Sequence, residues 1–222
     1  MRPWQHARSS AGKNGDWTTD LAIHEFVDST KVACPDLRHR MILHNSDLGA
    51  DLTVLAFPDR HGVRDIMLRH VEEDLGCLPS LSDWLTLCEK SLWPRQPHRR
   101  ENITFDEIVA KVAQTQGLKD EASLQKVLEL LLKPTLYAGH EALPILFNGF
   151  GPAVVRSILG GPRVVAGKHS EKAVFDPAHA AEAIIYYYYG NIPQLSDIVA
   201  AVRRFPSKST EAFSCKKIGT QN

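Results

Sequence analysis

Four residues along a helix return a side chain to the same face one turn on. This sequence sets a histidine and an aspartate at that spacing twice, as His24 with Asp28 and as His70 with Asp74. Ile66 extends the second pair into one row, beside Met67 and Val71, so His70 and Asp74 lie on a face that is otherwise apolar. A polar group buried there without a partner costs about 2–7 kcal/mol. Partners are available in HEFVDSTKVACPDLRHRMILH, residues 24–44, which carries His39 and His44. Imidazole nitrogen and carboxylate oxygen without thiolate form a donor set that suits zinc, iron or manganese. The candidate ligands are His24, Asp28, His44, His70 and Asp74, with His39 behind them. A coordination position left open would hold a water made more acidic by the metal, ready to attack a phosphorus or carbonyl centre. Lys31, Arg38 and Arg40 are close enough in sequence to bind the anionic part of a substrate. The same residues also admit a structural polar network, in which histidine and aspartate bond each other or cap a neighbouring helix. No adjacent His-Asp doublet of the HD-type phosphohydrolases occurs.

These residues need helices to hold them, and capping signals place four in the first part of the chain. The first is expected from about Leu21 to Lys31 after Thr19 and Asp20, with Leu21, Ile23, Phe26 and Val27 inward. The second starts after Cys34 with Pro35 at its first position, and carries Leu37, Met41, Leu43 and Leu48. A loop through Phe57, Pro58 and Gly62 precedes VRDIMLRHVEEDLG, a helix stopped by Gly76, and Ser80 with Asp83 boxes the start of the fourth. SLWPRQPHRREN then reads as a linker. Beyond it, Thr104 and Glu107 box a helix stopped by Gly117, and a second closes at Pro134. The glycines and prolines from Gly139 to Gly167 favour short strands or single turns. Asp176-Pro177 opens a helix through IIYYYY, and a last one runs from Gln194 to about Phe205.

The fold class expected is therefore mainly α: a histidine-rich helical bundle over 1–92, a linker at 93–103, a helical domain with a few short strands over 104–205, and a flexible tail at 206–222. Charge narrows the function classes, because 26 basic residues balance 26 acidic ones and no basic surface for nucleic acid is indicated. Cys34, Cys77, Cys88 and Cys215 lack the paired spacing of a zinc ribbon or redox motif and read as reduced thiols. With no apolar leader and no stretch near the ~20 residues that span a bilayer, a cytoplasmic chain is expected. The run Tyr186 to Tyr189 points in every direction around a helix, so Tyr187 and Tyr188 are candidates for contact with a protein partner.

HEFVDSTK, DLRHRMILH and VRDIMLRHVEEDLGCLPSLSDWL, in that order, resemble a group of small uncharacterised bacterial and phage proteins over residues 4–93. The resemblance implies a compact helical domain in a bacterial or phage setting, and no activity. QTQGLKDEAS, NGFGPAVVR and VFDPAHAA resemble, over 104 to about 182, the helix pair, glycine-turn sheet and final helix of histone-like HU proteins. The segment between Arg156 and Phe175 is short for a DNA-embracing arm and holds only Arg163, Lys168 and Lys172 as fixed positive charges. Three functional expectations follow: a metal-binding bundle with possible hydrolase activity, a non-enzymatic factor that binds and blocks a host complex, and an HU-like nucleic-acid-associated protein.

Overall fold

The computed structural model describes residues 2–11, 17–32, 36–89, 92–93, 103–119, 121–167, 172–202 and 213. The expected linker lies outside these residues except for Trp93 and Ile103, as does the expected tail except for Phe213, and so do Cys34, Pro35, Lys168 and Cys215. The described chain is mainly α, with one two-stranded antiparallel sheet. It forms two compact units, one drawn from 1–90 and 199–222 and the other from 91–198.

In the first unit, α1 (Pro3–Ala11) packs on α2 (Thr18–Val27), and both pack on α5 (Val63–Leu75). Between them run two single 3-10 turns (Ser29–Val32 and Leu37–His39), α3 (Arg40–Leu43) and α4 (Leu48–Ala56), and α6 (Leu81–Thr86) closes the series. Ile23, Val27, Met41, Ile42, Leu43, Leu48, Leu52, Met67, Val71, Leu81 and Trp84 are fully buried and form its core. Gly76 ends α5 at φ 70°, and Ser80 and Asp83 bond each other's backbone in a full capping box at α6.

Three features depart from the helix pattern expected. Pro3 opens a helix, α1, ahead of the first one expected. The first expected helix starts earlier, at Thr18, and stops at Val27, with Asp28 as its C-cap. The second expected helix is broken after Leu43. Asn45 donates to the carbonyls of Met41 and Ile42 and accepts from Gly49 N–H at 2.6 Å, which satisfies the end of α3 and the beginning of α4 with one side chain. Leu37, expected inside, is exposed in consequence of the 3-10 turn it occupies.

In the second unit, α7 (Phe105–Thr115), α8 (Glu121–Ala138) and α9 (Gly151–Leu159) surround α10 (Pro177–Tyr189). The strands β1 (Arg163–Ala166) and β2 (Lys172–Phe175) pair with Arg163 opposite Phe175. The helix expected to close at Pro134 continues to Ala138, with Pro134 buried. NGFGPAVVR, expected as glycine-turn sheet, enters α9, because Pro152 stands in its first turn where no backbone donor is needed. α11 (Leu195–Ala200) carries the chain back, so that Glu89 N–H bonds the Ala201 carbonyl at 2.8 Å and Cys88 bridges Val202 within the first unit.

Candidate metal centre

His24 and Asp28 stand one turn apart, and between them they bracket the ring of His70. His24 Nδ1 meets His70 Nδ1 at 2.8 Å, while Asp28 Oδ1 lies 3.7 Å from His70 Nε2. Asp74, one turn beyond His70 on α5, sets Oδ2 3.7 Å from the same Nε2. His44 arrives from the end of α3. Its carbonyl is fixed by Trp84 Nε1–H at 2.8 Å, and its Nε2 meets His70 Nε2 at 3.1 Å, Asp74 Oδ2 at 3.4 Å and Asp28 Oδ1 at 3.5 Å. Asp28, His44, His70 and Asp74 each offer a donor within 4.8 Å of the other three. Both imidazoles are fully buried, and the two carboxylate side chains are 3 % and 2 % exposed.

These separations bear on both kinds of polar cluster, because the same four side chains also make contacts of 2.6–3.2 Å with Lys31, Arg40, His6 and His24. In a hydrogen-bonded network donors meet acceptors at about 2.7–3.2 Å, but four of the five contacts named among the cluster's donors are 3.4–3.7 Å. Ligands at about 2.1 Å around a tetrahedral ion lie about 3.4 Å from each other. Two ring nitrogens and two carboxylate oxygens converging in that range are close enough to hold one metal ion.

The surroundings fix each donor from behind. Arg40 grips Asp74 through Oδ2 at 2.8 Å and through its carbonyl at 3.0 Å, and Lys31 Nζ pairs with Asp28 Oδ2 at 2.6 Å. Arg38 is held by Asp36, so each of the three basic residues expected to bind substrate is paired with a carboxylate of the chain. His24 stands on the far nitrogen of His70 and outside the group of four. His39 Nδ1–H is directed at the Asp36 carbonyl, and its Nε2 lies 3.9 Å from Asp28 Oδ1. Sequence spacing missed His6 and Glu73. His6 reaches in from α1, with Nδ1 at 2.7 Å from Glu73 and Nε2 at 3.2 Å from Asp74 Oδ1. Pro3 at a helix start was the signal for α1, but nothing in spacing ties His6 to residues 67 and 68 positions away.

Residues 1–94 match the family model described as a domain of unknown function (DUF6915). That segment contains every residue of the cluster. No curated protein and no solved structure matches the chain, so the histone-like resemblance of the second half has no support from them. Among the described residues no helix is long and apolar enough to cross a membrane.

Burial and the neighbouring charges set the protonation of the metal-free cluster. Burial pushes His24 down to about 3 and His39 and His70 to about 4, with the other imidazoles adding to it. Burial works against ionisation of Asp28 and Asp74 too. There, however, His44 with His70 and Lys31 (Asp28), and His44 with His6 and Arg40 (Asp74), win and hold both carboxyls well below the ordinary range. His6 is the reverse case: burial lowers it, but Asp74 and Glu73 outweigh burial and raise it.

Metal-free protein is therefore expected to weaken in mild acid. Between about pH 6.5 and 4 the unfolded chain takes up protons on His24, His39 and His70 that the folded chain refuses, at about 1.4 kcal/mol per pH unit for each. His6 opposes this, since its contribution is present below about 6.5 and lost as pH rises through its raised value. Below about 4 the two aspartates add their own loss. Urea midpoints of chelator-treated protein at pH 7, 6 and 5 should fall in order; a flat profile contradicts three buried neutral rings.

Proposed function

We propose that this is a bacterial or phage protein of the cytoplasm whose first unit is a divalent-metal-binding module, with Asp28, His44, His70 and Asp74 holding one ion. The observation that carries the reading is the pair of facing Nε2 atoms, 3.1 Å apart, flanked by two carboxylate oxygens at 3.4–3.7 Å. A set of two imidazole nitrogens and two carboxylate oxygens favours zinc, with iron and manganese as the other candidates. His24 supports the set from outside by bonding the far nitrogen of His70, the usual way a ligating imidazole is held in one tautomer. Hydrolysis is the activity such an ion would support only with a coordination position left open for a water beside the four donors. Protein purified without a histidine tag should carry stoichiometric metal by elemental analysis, and chelation should lower its melting temperature. Absence of both would remove the proposal.

A non-enzymatic interaction factor is the second reading, and a different feature favours it. In the second unit Val112, Thr115, Tyr186, Tyr187 and Ile192 line an open groove of about 290 Å³. Tyr186 is the exposed ring there, Tyr187 bonds Thr115 through its hydroxyl, and Tyr188 stacks on Phe105 and meets Phe147 edge-on. A partner recovered by cross-linking should be lost when Tyr186 and Tyr187 become serine; unchanged recovery would count against the groove.

A further inference from the structure

His39 is held in place by hydrogen bonds that leave one of its ring nitrogens unused. The hydroxyl of the buried Thr30 donates to the His39 carbonyl at 3.0 Å, and the Asp36 carbonyl accepts from Nδ1–H of the ring. A carbonyl can only accept, so Nδ1 carries the proton and Nε2 the lone pair. Asp36 is anchored in turn, because its carboxylate takes the Arg38 N–H at 2.9 Å and caps the 3-10 turn that presents the ring. The Nε2 atom is buried without a hydrogen-bond partner, and it lies 3.9 Å from Asp28 Oδ1, which is buried without one as well. Buried acceptors left without a donor are costly. Asp28 Oδ1 is also the oxygen that faces His44 Nε2 and His70 Nε2. His6 differs, since carboxylates stand against both of its ring nitrogens.

We infer that His39 is a metal ligand: when Asp28, His44, His70 and Asp74 hold their ion, His39 Nε2 binds it as a fifth donor from the chain. The inference rests on the metal-binding reading and deepens it, because it names a donor set of three imidazole nitrogens and two carboxylate oxygens. Two donors bound to one ion at about 2.1 Å stand at most about 4.2 Å apart, and the 3.9 Å between His39 Nε2 and Asp28 Oδ1 falls within that reach. A ring whose Nδ1–H rests on a backbone carbonyl while Nε2 stays free is oriented as ligating imidazoles are. In the metal-free arrangement His39 stands outside the group of four, so its ring moves toward the ion on loading. The bond forms by donation of the Nε2 lone pair. Nδ1–H stays on the Asp36 carbonyl, and no proton is taken up or released.

Proton NMR of the full-length chain loaded with cobalt(II) counts the rings on the ion. A ring bound through Nε2 to this paramagnetic ion keeps its Nδ1–H, whose resonance is shifted far outside the ordinary window, whereas a ring that only stands nearby is not shifted so far. Three such exchangeable resonances are expected, from His39, His44 and His70, and His39→Leu should lose one of them. Two in the wild type, or all three kept in the leucine variant, would overturn the fifth donor while leaving the metal-binding reading intact. Failure of the wild type to bind cobalt removes both. If the leucine variant does not fold, His39→Gln decides in its place, since glutamine keeps a polar side chain in the turn and supplies no ring N–H: two shifted resonances support His39 as a ligand, and three overturn it.

Discussion

Asp74→Asn should abolish tight divalent-metal binding and, separately, destabilise the metal-free protein by about 3–5 kcal/mol. The two effects have different sources. Oδ2 of Asp74 is one of the four converging donors, and an amide in its place brings no charge to the ion. The stability loss comes from Arg40, whose side chain is 9 % exposed and whose guanidinium rests on that carboxylate at 2.8 Å, so the change strands a buried cation. Calorimetric titration with zinc reads the first effect and urea unfolding in chelator reads the second. A double change, Asp74→Leu with Arg40→Met, separates them: most of the stability should return because charge leaves on both sides, while zinc binding stays lost. Zinc affinity unchanged in Asp74→Asn would show that the ion does not sit among these four residues.

Gly49→Ala is expected to be the most damaging small substitution in the first unit. A methyl group on Gly49 would stand 2.0 Å from the Leu43 carbonyl oxygen and 3.1 Å from the end of the Met67 side chain. The near atom is backbone, so relief requires moving α3 against α4, at a cost of about 3 kcal/mol or more. The same movement would disturb His44, the residue after Leu43. Thermal unfolding of the chelated protein and its zinc affinity should therefore both fall. Full stability in the alanine variant would mean that the break between α3 and α4 is looser than Asn45 and Gly49 make it.

How much of this was legible in the sequence depended on whether a residue's partners lay along one helix. His70 and Asp74 belong to α5, a regular helix with clear ends, and their one-turn relation was readable, as was that of His24 and Asp28. The division of labour between His24 and Asp28 was not, because it is set by the ring of His70 lying between them. His6 enters through α1 packing on α2 and α5, a contact across space that no local period records. The break before α4 was hidden for a related reason: Asn45 and Gly49 look like ordinary polar and small residues until two backbones meet at them. In the second unit, the glycines and prolines from Gly139 to Gly167 suggested short strands or single turns, and a 3-10 turn (His140–Ile145) and β1 fall there, but at Gly151 the absent side chain serves close packing, since a Cβ would fall 1.9 Å from the Leu146 carbonyl oxygen at the start of α9.

The bond from Glu89 to Ala201 and the bridge from Cys88 to Val202 join ends of a unit whose chain leaves at Lys90 and returns at Val199. On a ribosome, which extends a chain by about 5–20 residues per second, the residues of the histidine and aspartate cluster emerge long before these closing contacts can form. Trp84, which positions His44, waits likewise for Phe213, whose ring lies 4.9 Å from it. The nascent first unit thus passes through a period of several seconds, about 110 residues at that pace, with its last contacts unmade. An ion captured early by Asp28, His44, His70 and Asp74, if these residues hold one as proposed, would hold α2, α3 and α5 together through that interval and so take part in the order of assembly.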